Sequence, residues 1–512
     1  MVNADGQQVV LAAVVGLVLS VGLEKFMSPQ PRPVYKRTWP CIALHGGLWL
    51  AVFSTIVLLL ARPWFAMVIQ ASLMLLVVVV NNAKFASLRE PFVFQDYEYF
   101  TDAILHPRLY IPFLGWGKAV AAALGFAAAV FAGLWFEAAP ADRWSVSGQM
   151  GVAALTAVVS LVLIGAGNLG KVVATFAPTK DILRMGLLAS LWCYARAEKV
   201  RPTVHSPFSA EPSALLESAD RPHLVAVQSE SFFDPRDLFS GVRRDVLRHF
   251  DDLKKSALSH GKLTVPAWGA NTVRSEFAFL TGVSADTLGV HRFNPYRRVV
   301  DWGVPTLAGY LQKMGYKTIC VHPYPSGFYG RDRIYPMLGF DEFIDIRAFK
   351  DSDRSGAYTG DIAVAKKIST ILENASVPVF IHVITMENHG PLHLEAVSTE
   401  DIKASYDQLP PAGCDDLTAY IKHLRNADTM ISMLSDTMNK LDRHASLCWF
   451  GDHVPIMQQV YKLLGLPGGQ TEFLIWQNRK TTGLVPENLQ AHHLVDNLAD
   501  KWLSCLGLLA KK

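Results

Sequence analysis

Residues 267–277 read AWGANTVRSEF. Pro266, Trp268 and Gly269 predict a loop. VRSEFAFLTG, 273–282, predicts a helix with Thr272 at its head, Glu276 in its first turn and apolar residues after it. A threonine in that place is expected to cap the helix, because its oxygen can accept from unpaired backbone N–H groups. Whether Thr272 does more depends on what other segments bring to it.

On both sides of this stretch, short apolar β-rich runs alternate with amphipathic helical ones. Predicted strands are 223–228, 317–322, 377–385, 446–450 and 472–476. Predicted helices are 242–258, 305–314, 361–374 and 416–441. This alternation predicts an α/β domain with a mostly parallel central sheet. In such sheets ligands gather at the carboxyl ends of strands.

Those ends carry chemistry. HLVAVQ is followed by SESFFD, with Glu230 just past the strand. PVFIHVIT is followed by MENHGP, with His389. SLCWF is followed by GDHVP, with Asp452 and His453. KTICV is followed by HPYPSGFYGRDR, with His322 and Arg331. One acid after a strand is usually a cap, and one loop histidine is usually solvated. Glu230, Asp452 and His453 together supply two carboxylates and an imidazole, a set suited to manganese, magnesium or zinc. Three protein ligands leave a position open, where a hydroxyl such as that of Thr272 would become a nucleophile. His291 and His382 read as packing histidines.

These motifs resemble the lipoteichoic acid synthase-like branch of the alkaline phosphatase/sulfatase superfamily, over about 223–476. NTVRSEF resembles its nucleophile motif, QSESFFD and GDHVP its metal motifs, and HPYPSGFYGRDRIYPMLGFDEF its substrate-recognition stretch. The resemblance implies one divalent metal, manganese before magnesium or zinc, held by Glu230, Thr272, Asp452 and His453. It implies Thr272 as nucleophile and His389 as a substrate-contacting acid or base. His322, Tyr329 and Arg331 would meet the head group, Arg331 through its bidentate fork. The implied reaction moves phosphoglycerol from phosphatidylglycerol to an extracytoplasmic glycan or glycolipid through a phospho-threonine. Two departures point to phosphoethanolamine transfer from phosphatidylethanolamine as the alternative. Tyr329 stands where lipoteichoic acid synthases have Trp, and Arg274 stands two residues after the nucleophile, as a substrate-binding candidate. Sulfatase chemistry is disfavoured, because Thr272-Val273-Arg274 offers neither the Cys nor the Pro of a formylglycine motif. An inactive scaffold is disfavoured because all four metal positions hold competent residues.

The N-terminal part has another character. Half of the 512 residues are hydrophobic, mean hydropathy is +0.21, and the excess lies before about residue 170. Five charge-poor runs, 6–23, 38–60, 63–83, 119–136 and 144–170, are each long enough to cross a bilayer as a helix. They predict an all-α membrane bundle. The first run lacks a basic flank and a cleavage site, so it reads as an uncleaved anchor. Residues 182–194, with basic flanks, read as interfacial. The expected organisation is membrane helices in 1–180, interfacial helix and linker in 181–220, and a catalytic domain in 221–512. The basic loops at 25–37 and 84–108 both lie on the cytoplasmic side by charge bias, and five spans would return the catalytic part there. The chemistry of an outer-leaflet donor argues instead for a periplasmic or extracellular domain on a bacterial inner membrane. A net charge of +3 and no basic-aromatic patch exclude a nucleic-acid partner. The six cysteines are widely spaced and specify no disulfide pairing.

Overall fold

A computed structural model describes residues 4–105, 107, 115–137, 143–212, 221–479 and 490–509. The chain divides into two units, Met1–Val200 and Arg201–Lys512. Residues 213–220 of the Pro/Ser-rich linker, Arg108 of the second basic loop and the ends of the chain lie outside the described residues.

In the first unit, five described helices are long and apolar enough to cross a membrane: Gly6–Phe26, Trp39–Leu60, Pro63–Leu88, Trp116–Phe136 and Val146–Leu169. Each falls on one of the predicted runs. Glycines let two of them approach closely, since a Cβ at Gly47 would lie 2.8 Å from Ile164 Cγ1 and 3.0 Å from Ser160 O. The segment read as interfacial forms two short helices, Pro178–Met185 and Leu187–Ala197. They break at Gly186, whose φ is +81°. Neither is long enough to span a bilayer.

The second unit is built on an eight-stranded sheet. Its strands are β1 (His223–Ser229), β2 (Ser259–Thr264), β3 (Lys317–Val321), β4 (Glu342–Ile344), β7 (Val379–Ile384), β8 (Ala445–Gly451), β9 (Gln470–Gln477) and β10 (Gln490–Leu494), in the order β10-β2-β9-β8-β1-β7-β3-β4. Two further short strands, β5 (Arg354–Ser355) and β6 (Tyr358–Thr359), pair with each other. Within the eight-stranded sheet β9 runs antiparallel to β2 and β8, and the other pairs are parallel. β1 is buried along its whole length, as a central strand covered on both faces must be. Its alternate residues feed two cores. Leu224 and Ala226 join Phe277 and Trp502, while Val225 and Val227 join Leu424 and Trp449. The helix Thr272–Thr281 belongs to the first layer. The helices Asp361–Glu373 and Asp415–Lys440 belong to the second.

Two departures from the predicted elements have local causes. The helix expected over 242–258 is a 3-10 turn, Arg244–Leu247, and a short helix, Arg248–Lys254, before β2 begins. β2 escaped prediction because SHGKLT is polar and alternates in burial. Its Gly261 passes so close to β10 that a Cβ there would lie 2.0 Å from Ala491 O. All six cysteines are free.

Candidate active site

β7, β1 and β8 are neighbours, with Gln228 opposite Ile384 and Ser229 opposite Gly451. Their carboxyl ends therefore bring Glu230, the MENHGP loop and Asp452-His453 to one place. Glu230, Asp452 and His453 are buried, and each offers a ligand atom within 4.8 Å of the others. Their free atoms fit a cation. Asp452 Oδ1 accepts from Ser231 N at 2.9 Å, while Oδ2 is buried without a hydrogen-bond partner. His453 Nδ1 lies 3.2 Å from Val454 O. Donation there keeps the lone pair on Nε2, which is also buried without a hydrogen-bond partner and faces Asp452 Oδ2 at 3.4 Å and Glu230 Oε1 at 3.6 Å. Burial, then the Asp452 charge, pushes the Glu230 carboxyl up to about 8. Such a trio resists full ionisation until a cation is added.

Ser231 was not singled out in the sequence. At φ +52° it donates Oγ to Glu230 Oε1 at 2.9 Å and lies 3.3 Å from His453 Nδ1. Tyr420 fixes it by donating to Ser231 O at 2.8 Å. No motif would have exposed this role, because it depends on a left-handed turn between two strand ends.

Thr272 is the first residue of its helix. The N-cap is Asn271, at φ +65° and with no side-chain capping bond. The capping expectation for Thr272 thus gives way: the turn starts one residue earlier, and the threonine hydroxyl is released from that duty. Thr272 lines a pocket with Glu230, Asn271, His322, Tyr329, Arg331 and His389, and with the apolar Ala270, Phe328, Ile384 and Met386. Ser275 ties this helix to the carboxylate cluster by donating to Asp452 O at 2.6 Å.

The other predicted residues divide. His389 lies 2.7 Å from Gly390 O through Nδ1, so Nε2 keeps the lone pair. Burial lowers its pKa and keeps the ring neutral. His322 lies 3.2 Å from Ile384 O through Nδ1 and 3.3 Å from Arg331 Nη1 through Nε2. Burial, then Arg331, lowers its pKa to about 3, so it is a neutral acceptor. Tyr329 adopts φ +57° and sets its ring 5.2 Å from the Arg331 guanidinium carbon.

Arg331 gives one edge of its guanidinium to a buried partner. Nε and Nη2 each donate to Glu276, at 3.2 and 2.7 Å, which leaves the Nη1 end of the fork for the pocket that Arg331 lines. Arg274 is not among the pocket's lining residues. Its Nε donates to Phe293 O at 3.1 Å and its guanidinium sits 5.3 Å from the Phe293 ring. His382 is buried between Phe279 and Tyr335, in keeping with a packing role.

A mostly parallel sheet with a buried carboxylate-imidazole trio at its carboxyl edge, preceded in sequence by five apolar helices, defines the class as alkaline phosphatase-like. The sulfatase family profile matches residues 222–508, more than half of the chain, and the chain belongs to that family. The capsular polysaccharide biosynthesis protein RkpI of Rhizobium meliloti is 26% identical over 420 residues, which cover 78% of this chain and 74% of that protein. Lipoteichoic acid synthase 1 of Bacillus subtilis is 26% identical over 146 residues, 28% of this chain and 22% of that protein. Among solved structures, the integral membrane lipooligosaccharide phosphoethanolamine transferase A of Neisseria meningitidis aligns with a TM-score of 0.59 over 98% of this chain and 95% of its own. At 13% identity the two share a fold.

Proposed function

We propose that the protein is a membrane-anchored transferase that moves phosphoglycerol from phosphatidylglycerol to an extracytoplasmic glycan or glycolipid. The observation that carries the choice of head group is the pocket's charge. Among the described residues its only lining carboxylate is Glu230, which belongs to the metal cluster. An ammonium head group would find no free counter-charge among those lining residues, whereas an uncharged glycerol needs none. The lipoteichoic acid synthase-like motifs support the same donor, and the capsular polysaccharide relative supports a glycan acceptor.

Glu230, Asp452, His453 and Thr272 would hold one divalent ion, manganese before magnesium or zinc. When bound, that ion would acidify the Thr272 hydroxyl and offset phosphoryl charge. Thr272 Oγ attacks phosphorus, and the bond from phosphorus to the diacylglycerol oxygen breaks. His389 Nε2 takes the threonine proton and returns it to the leaving oxygen. Phosphoglycerol remains on Thr272 as an ester. In the second half, an acceptor hydroxyl gives its proton to His389 and attacks phosphorus, and Thr272 Oγ leaves and is reprotonated. Arg331 Nη1 steadies a phosphoryl oxygen throughout. A lipid donor suits a domain tethered at an inner membrane with its site on the extracytoplasmic side.

The test is full-length protein in detergent with manganese, offered labelled phosphatidylglycerol or phosphatidylethanolamine. Diacylglycerol release and label on Thr272 from phosphatidylglycerol alone is the expected result. Label from phosphatidylethanolamine alone would overturn the donor, and Thr272→Ala that still becomes labelled would overturn the nucleophile.

A further inference from the structure

Glu276 follows Thr272 by four residues, on the same face of the helix. It is fully buried and does not line the pocket. Four donors converge on it. Arg331 gives Nε to Oε1 at 3.2 Å and Nη2 to Oε2 at 2.7 Å. Tyr335 donates to Oε1 at 2.6 Å, and Tyr296 donates to the same oxygen. A buried carboxylate persists only when it is so satisfied. The consequence falls on Arg331. With its Nε–Nη2 edge held by Glu276, Arg331 has its Nη1 end left for the pocket, and Nη1 lies 3.3 Å from His322 Nε2.

We propose that Glu276 is a positioning residue for anion binding: it clamps the Nε–Nη2 edge of Arg331, so that the Nη1 end meets a phosphate-ester oxygen in fixed register with Thr272 on the same helix. This rests on the pocket being a phosphoryl-transfer site. It differs from a merely structural ion pair between two helices, because it ties Glu276 to ligand affinity through the orientation of Arg331.

Glycerol phosphate binding to the full-length, manganese-loaded protein in detergent, followed by calorimetry, reads this without turnover. Glu276→Gln is expected to weaken binding roughly ten- to hundredfold, the range for losing a charge-assisted contact. In an Arg331→Gln background the same change is expected to alter binding by less than about twofold, since the two residues act as one unit. Glu276→Asp keeps the charge but shortens the reach. It is the second variant if Gln does not fold, with a smaller loss expected at an unchanged melting temperature. Native-like binding by either folded Glu276 variant, or losses that multiply with Arg331→Gln, would overturn the positioning role. Failure of the native protein to bind glycerol phosphate would instead sink the phosphoryl-site reading beneath it.

Discussion

His423 Nδ1 lies 3.1 Å from Glu387 Oε1, and Glu387 stands two residues before His389 in the loop that follows β7. His423 Nε2 also lies 2.7 Å from Glu395 Oε2. Glu387 further accepts from Asp361 N at 2.6 Å and Asn426 Nδ2 at 2.5 Å. The loop that carries the candidate proton carrier is therefore anchored by a buried charged histidine. Burial opposes that charge, but the hydrogen bonds it donates to Glu387 and Glu395 outweigh it and raise the pKa to about 9. Because the folded value exceeds the unfolded one, this stabilisation is complete below pH about 6.5 and disappears as pH rises through about 9. Melting temperature should fall between pH 8 and 10 in the native protein. His423→Gln should lack that fall and lose about 3 kcal/mol at pH 7. Parallel curves for the two proteins would refute the anchor.

The metal trio makes the opposite prediction at its own site. Glu230 is held up to about 8 by burial and by Asp452. Its unfolded counterpart ionises near 4.5, so this group costs the metal-free protein stability as pH rises from there to about 8. A divalent ion cancels that cost. The rise in melting temperature on adding manganese should therefore grow from pH 5 to pH 8, and chelation should harm most at pH 8. Asp452→Asn should abolish the rise and lower metal content measured by plasma emission. A manganese effect independent of pH would count against this trio as the site.

The sheet was legible wherever strands were continuously apolar. HLVAVQ, KTICV and SLCWF needed no context, because central parallel strands are apolar on both faces. β2 and β10 were not, since Lys262, His260 and His492 mask them and pairing alone makes them strands. At the site, residue types that do chemistry were visible at strand ends. Residues that orient them were not: Ser231 acts through a left-handed turn, and Glu276 looked like an ordinary first-turn acid. Arg331 shows the limit of residue type as a guide, because one edge of its fork is held by a partner 55 positions away.

Gly451 ends β8 just before Asp452. A Cβ there would lie 2.1 Å from Phe232 O and 2.9 Å from Thr471 Cβ. The first of these is backbone and cannot step aside. Gly451→Ala should push the end of β8 away from the turn after β1, moving Asp452 relative to Glu230. A stability loss of about 2 kcal/mol is expected from the overpacking, with manganese stoichiometry well below that of the native protein. Full metal occupancy with a normal melting temperature would mean that this strand end is more pliant than its contacts indicate.

Arg274 separates the two head-group readings. Its place in the sequence, two residues after the nucleophile, leaned toward phosphoethanolamine transfer. In the structure its guanidinium turns to Phe293, where it meets the carbonyl and the ring. Arg274→Gln should leave KM for the lipid donor within about twofold of native and cost about 1–3 kcal/mol of stability, the range for a buried donor-acceptor pair. Steady-state kinetics and thermal unfolding on the same preparation would check both halves. A tenfold rise in KM at unchanged stability would mean that Arg274 swings into the pocket when the donor binds, and it would return weight to phosphatidylethanolamine.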